Sequence, residues 1–224
     1  MRPYKLIAVL TLSVFAAGCS TTDIASRNAP FSNPALEGAV GQKNLLDTTF
    51  EAAVPIYDVT DVVVNVPENL IVSEANSYYP SGDIVWRGDP AGNRHEQVKA
   101  IFETAMARGT AGMTEGTPVI LDIEVKRFHA LTEKTRYTIG GIHAITFKMS
   151  VRSAETGLML SEPRVIKANL KGFGGERAIA AERQGQTQKV RITDHLAGVI
   201  FTELGQPDGY SGQRVSVLAP QDNI

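Results

Sequence analysis

Apolar and polar positions alternate most regularly between Val119 and Val151, and there they predict two neighbouring strands. Val119, Leu121, Ile123 and Val125 alternate with Ile120, Asp122, Glu124 and Lys126, the period of a half-buried strand. His143, Ile145, Phe147, Met149 and Val151 alternate in the same way against Ala144, Thr146, Lys148, Ser150 and Arg152. Polar residues from Thr132 to Arg136 predict the hairpin loop between them. Ala154-Glu155-Thr156-Gly157 predicts a tight turn into a third strand, Met159 to Leu170. Upstream, the β-branched run Asp61 to Val66 predicts a first strand ended by Pro67, with Leu70-Ile71-Val72 continuing it after a bulge.

Helical periodicity appears twice. Asn93 with Glu96 three residues on is a capping-box pattern, and Val98, Ile101, Phe102, Ala105 and Met106 follow at helical spacing. Gly109 is the expected stop of that helix. Gly172 to Gly175 leads, as a flexible joint, into helical sequence from Glu176. Ile192, Leu196, Val199, Ile200 and Leu204 make a closing stripe stopped by Gly205 and Pro207. The order strand, helix, three-strand meander, helix predicts an α+β two-layer sandwich, with a mainly antiparallel sheet and the helices on one face. The first strand cannot reach the meander through a hairpin, so the first helix must cross over the sheet.

The N-terminus carries a different signal. Arg2 and Lys5 precede an apolar run from Leu6 to Ala17, which is shorter than the ~20 residues of a spanning helix. The run ends in Phe15-Ala16-Ala17-Gly18-Cys19-Ser20, which resembles the bacterial lipobox. That resemblance implies cleavage before Cys19, a diacylglycerol on its thiol and acylation of the new amino group. Ala16 stands where leucine is commoner. Ser20 after the cysteine favours, by resemblance to enterobacterial lipoproteins, the outer membrane over the inner and a periplasm-facing position. Cys19 is the only cysteine, so the exported domain holds no internal disulfide. Residues 1–18 then form a lipoprotein signal peptide and 19–55 a lipidated tether rich in Thr, Ser, Asn and Ala. Residues 56–206 are the α+β domain, and 207–224 a flexible tail.

Charge narrows the partners. Lysines and arginines number 22 against 24 aspartates and glutamates, a net charge of −2 with the basic residues dispersed. Nucleic-acid binding and a polybasic membrane patch both need clustered positive charge, so neither is expected.

Candidate chemistry is sparse. His95, His129, His143 and His195 form no helical pair, and no cysteine or dense carboxylate cluster accompanies them. His129 and His143 on consecutive strands are the one pairing that a metal-dependent hydrolase could use. No Gly-x-Ser-x-Gly elbow is present, and Lys171-Gly172-Phe173-Gly174-Gly175 lacks the ending of a P-loop. No catalytic residue, metal or cofactor is therefore assigned. Arg87-Gly88-Asp89 reads as a turn before the helix. The surrounding segment places Tyr78, Tyr79, Trp86 and Arg87 in an irregular region, and these residue types are enriched at protein interfaces. They are the partner-binding candidates, set against the simpler reading that Trp86 plugs the core beside the first helix.

The element order looks like the small auxiliary lipoproteins of Gram-negative envelope transport systems. Asp83-Ile84-Val85-Trp86-Arg87-Gly88-Asp89-Pro90, Arg127-Phe128-His129-Ala130-Leu131-Thr132 and Gly140-Gly141-Ile142-His143 resemble an uncharacterised family of alphaproteobacterial lipoproteins, which brings no known chemistry. The expected function is a non-enzymatic accessory or binding module of a cell-envelope complex, held on the membrane by its lipid anchor. The alternatives are a lipid or small-ligand carrier, with a cavity between sheet and helices, and the metal-dependent hydrolase.

Overall fold

The computed structural model describes residues 54–212. The signal segment, Cys19 and its lipidation, the tether up to residue 53 and the tail from residue 213 lie outside the described residues. Two long strands form the centre of the fold. β3 (Thr117–His129) and β4 (Gly141–Ser153) pair antiparallel from Val119 opposite Ser153 to His129 opposite Ala144. Their inward row is the predicted one: Val119, Leu121, Ile123 and Val125 on β3, and Ile145, Phe147, Met149 and Val151 on β4, are all buried. A bulge between Val125 and Arg127 shifts the alternation by one place, so Phe128 rather than Arg127 continues the buried row. The opposite face is polar, with Arg152 Nε 2.7 Å from Asp122 and Glu124 paired to both Lys126 and Lys148.

β1 (Tyr57–Asn65) lies parallel to β3, and α1 (Arg94–Thr110) is the predicted crossover between them. β1 begins before the expected Asp61 because a bulge at Thr60 hides the alternation of Tyr57 and Val59 with the run that follows. Thr60 Oγ1 donates to Val119 O at 3.0 Å across this irregularity. A short parallel strand, β2 (Ile84–Val85), pairs with Phe128 and His129 inside the stretch expected to be irregular. Leu70–Val72 does not continue β1, and only Val72 makes a bridge, to Ile84.

The predicted hairpin loop contains a helical turn, α2 (Glu133–Arg136), capped by Thr132, whose hydroxyl accepts from Thr135 N at 3.2 Å. The expected single strand from Met159 to Leu170 is two pieces, β5 (Arg164–Lys167) and β6 (Leu170–Gly172), both antiparallel to β4. Asn169 divides them, because its side-chain oxygen, instead of a backbone carbonyl, accepts from Ile145 N at 3.1 Å. The six-stranded sheet has the order β1-β3-β4-β5, with β2 against β3 and β6 against β4. It is mixed, mostly antiparallel, and the fold is α+β.

α3 (Gly175–Arg183) and α4 (Gln188–Gly205) complete the chain order. Asn93 caps α1 as expected, its side-chain oxygen accepting from His95 N and Glu96 N. The stripes of α1 and α4 close over the inward sheet face, where Trp86, Phe102, Phe128 and Phe147 meet edge to face at 5.5–6.1 Å. Gly109 does not stop α1. It lies within the helix where α4 crosses, and a Cβ there would sit 2.3 Å from Ile200 Cγ2 and 2.4 Å from Ala197 O. Nor is the glycine run before α3 a flexible joint: a Cβ on Gly174 would stand 2.3 Å from Gly140 N. Among the described residues no helix is long and apolar enough to cross a membrane.

Candidate functional site

Strand direction sorts the loops between two ends of the sheet. Val54, the α1–β3 loop, the turn after β4 and the end of α4 lie at one end; the segments 66–93 and 129–141 and the start of α3 lie at the other. All four partner-binding candidates sit at this second end, in very different surroundings.

Trp86 is fully buried, its ring against Phe128 and its Nε1 donating to Asp89 Oδ2 at 2.8 Å. It plugs the core and offers no surface to a partner. Arg87 is tied down as well, ion-paired to Glu133 and Glu74 and donating to Glu74 O at 2.8 Å. Glu74 also receives Arg94, whose buried guanidinium reaches the carbonyls of Asp89 and Pro90. Lys189 on α4 closes the network on Asp89 at 2.9 Å. The hydrogen bond from Arg94 holds the Glu74 carboxyl below its ordinary value. Burial alone would raise Asp89, but bonds from Lys189 and Trp86 bring it lower. The Arg-Gly-Asp tripeptide is therefore part of an ionic brace within the domain's own chain.

The tyrosines face outward. Tyr78 is partly exposed with Lys134 Nζ 4.6 Å from its ring centre, and Tyr79 is 89% exposed. Their loop is held on several sides. Thr132 Oγ1 donates to Ser77 O at 2.9 Å, Lys134 N donates to Asn76 Oδ1 at 2.8 Å, and His129 Nε2 lies 3.0 Å from Pro80 O. Two residues outside the sequence-based selection join the same rim: Tyr137 and Ile139, 42% and 68% exposed in the loop between α2 and β4. Their only sequence signal is an apolar pair inside a stretch otherwise polar.

The histidines do not assemble. His129 stands opposite Ala144, so the preceding residue of β4, His143, points through the other face of the sheet. His143 is buried, accepts from Leu131 N at 3.3 Å, and is pushed down to about 3 by desolvation, with Arg191 and Arg136 adding to the effect. His95 Nε2 meets Leu70 O at 3.2 Å, and His195 packs its ring against Tyr210. Among the described residues no three of His, Cys, Asp or Glu converge as metal ligands. Aromatic and aliphatic side chains fill the space between sheet and helices. Two clefts lie at the surface, one of about 420 Å³ beside Asn65, Glu68 and His95 and one of about 440 Å³ beside Ile56, Met113 and Leu204.

Comparison with known proteins gives a family without an activity. The family of unknown function DUF6778 matches residues 57–220. No curated protein matches the chain. Among solved structures, a candidate lipoprotein from Caulobacter crescentus is 16% identical, over 47% of this chain and 79% of that one, with a TM-score of 0.30. A DUF330 protein from Xanthomonas campestris is 14% identical, over 67% and 88%, with a TM-score of 0.35. A dodecameric PelC from Paraburkholderia phytofirmans is 12% identical, over 65% and 91%, with a TM-score of 0.27. Likeness at this level assigns no activity.

Proposed function

This chain belongs to the DUF6778 family, and from that premise we propose that it is a non-enzymatic lipoprotein of the cell envelope, a binding module that engages a protein partner through the rim around Tyr79. The lipobox-like sequence ending at Cys19 supports the lipid anchor, and Ser20 supports the periplasmic face of the outer membrane.

One observation carries the binding reading: Tyr79 is almost wholly exposed on a loop whose backbone is already fixed by α2 and His129. An exposed aromatic on a free loop would lose conformational entropy on binding. On a pinned loop most of that cost has been met in folding, which favours association. Tyr78 beside it, and Tyr137 and Ile139 at the same end of the sheet, are exposed as well, and tyrosine is among the residues that dominate interface energetics. Val54, through which the chain continues back toward Cys19, is at the opposite end of the sheet, so the rim is not where the tether joins the domain.

Co-purification from envelope fractions tests this reading. A partner retained by the native protein and by Lys148→Ala, but lost with Tyr79→Ala at unchanged melting temperature, is the expected result. A partner retained equally by both variants would overturn the rim as the binding surface.

A further inference from the structure

At the end of the sheet opposite the rim, three large apolar residues in a row lie open to solvent. Leu158, Met159 and Leu160, in the segment after β4, are 68%, 51% and 45% exposed. Single exposed apolar side chains are ordinary on a protein surface, but a run of three is not. The run is also fixed in place. Leu158 O accepts from Ser153 N and Leu160 N donates to Val151 O, both at 2.8 Å, and Met159 bridges to Arg152. Gly157, at a φ of 71°, makes the turn that brings the run back against β4.

The same end carries the start of the domain. β1 begins with Tyr57 opposite Thr117, and β4 ends with Ser153 opposite Val119, so Val54 and the run share one end of the sheet. Ile56, 70% exposed, stands at the β1 edge, where it lines the cleft of about 440 Å³ with Val54, Met113 and Leu204. The run lies at the far edge, beyond β3 and β4. The two apolar points are therefore three strand spacings apart, roughly 15 Å. Glu115, Glu155 and Glu162, in the loops around them, are exposed. Attraction to an anionic surface therefore does not explain the run.

We propose that this end of the domain docks on the lipid bilayer, with Leu158, Met159, Leu160 and Ile56 seated at the boundary of headgroups and acyl chains. The rim around Tyr79 then faces away from the membrane. The proposal rests on the lipid-anchor reading, because the chain leading back to Cys19 decides the occupant. That chain enters the domain at Val54, two residues from Ile56. Even a random coil of the length from Cys19 to Val54 averages roughly 30 Å end to end, which holds the run at high effective concentration beside the bilayer. A weak apolar contact is then sufficient: the lipid supplies the affinity and the run the orientation. Its aliphatic and thioether side chains need no hydrogen-bond partner, and lipid tails offer none.

The mature, lipidated chain in phosphatidylcholine vesicles with brominated acyl chains tests it. Cys19 is the chain's one cysteine, so once it carries lipid the only free thiol is an introduced one. Leu158→Cys and Tyr79→Cys each take an environment-sensitive fluorophore there. Bromine should quench the label at position 158 at least about twofold more than the label at 79. The difference should persist from low to high salt, because screening leaves apolar contact intact. Equal quenching at the two positions, or quenching at 158 that is lost in high salt, would overturn the docking. So would crosslinking of position 158 to a second copy, which would give this end to a dimer. Intact mass separates the two readings. Cys19 without lipid would remove the anchor and the docking with it, whereas a lipidated chain with neither label quenched overturns the docking alone.

Discussion

At the scale of single residues, burial decides what each side chain does. His143 occupies an inward position of β4, and desolvation holds its ring neutral with a value of about 3. Because the unfolded chain binds a proton at about 6.5 and the folded one does not, stability rises with pH between these two values. The contribution is complete above the unfolded value and is lost as pH falls below it, at about 1.4 kcal/mol per pH unit. We predict that His143→Gln, which keeps an acceptor for Leu131 N, flattens the decline in stability between about pH 6.5 and pH 4.5. Denaturant melts across this range check it, and an unchanged slope would show that another group governs it. His195, also lowered by burial, acts in the same sense and is present in both proteins. Neighbours on one strand differ as sharply. Phe147 is fully buried, so Phe147→Ala should cost about 3–5 kcal/mol. Lys148 faces outward onto Glu124, and Lys148→Ala should cost no more than about 1 kcal/mol. Equal losses in denaturant melts would contradict the observed register.

At the scale of elements, the crossing of α1 and α4 overrides local preference. Helix propensity favours alanine over glycine by about 1 kcal/mol in a helix interior. At Gly109 the added methyl would strike Ile200 and the backbone carbonyl of Ala197, and backbone cannot swing aside as a flexible side chain can. Gly109→Ala should therefore destabilise the protein, by about 1–3 kcal/mol, and a rise in melting temperature would show that the helices separate at little cost. Gly174 plays the same part where α3 begins, lying against the backbone of Ile139 and Gly140. These close approaches explain why glycine at both places looks like punctuation in the sequence and acts as contact in the fold.

At the scale of the whole molecule, the parallel pairing of β1 with β3 sets the geometry. The crossover through α1 sends the chain from the rim end back to the end where Val54 lies, and both central strands then carry it to the rim and back. Domain stability and membrane retention should accordingly be separable. We predict that Cys19→Ala abolishes lipidation and membrane retention while leaving the melting temperature of the domain unchanged. Mass spectrometry of the native mature protein checks the first part, and an unmodified Cys19 there would remove the anchor from the proposed function.

Much of the fold is legible in the sequence because it is written locally. The period-two rows of β3 and β4, the Asn93 cap and the stripes of α1 and α4 depend only on residues a few places apart, which is the range over which strand and helix periods operate. The lipobox-like run before Cys19 is local in the same way. Other features depend on what lies across the fold. Trp86 and Tyr79 are both aromatics of one irregular segment, and only the arrival of Phe128 and Asp89 on one side and of α2 on the other separates core plug from exposed rim. His129 and His143 belong to neighbouring strands, yet the register of β3 against β4 puts them on opposite faces. Arg136 of α2, His143 of β4 and Gln188 of α4 meet around one small cavity, which has no signature in any one segment. Sequence by itself determined the two long central strands, the helices α1 and α4 and the faces they bury, because burial periodicity is a short-range property. Which residues meet, and which remain free to bind, was decided by tertiary structure, because register and helix crossing join residues far apart in the chain.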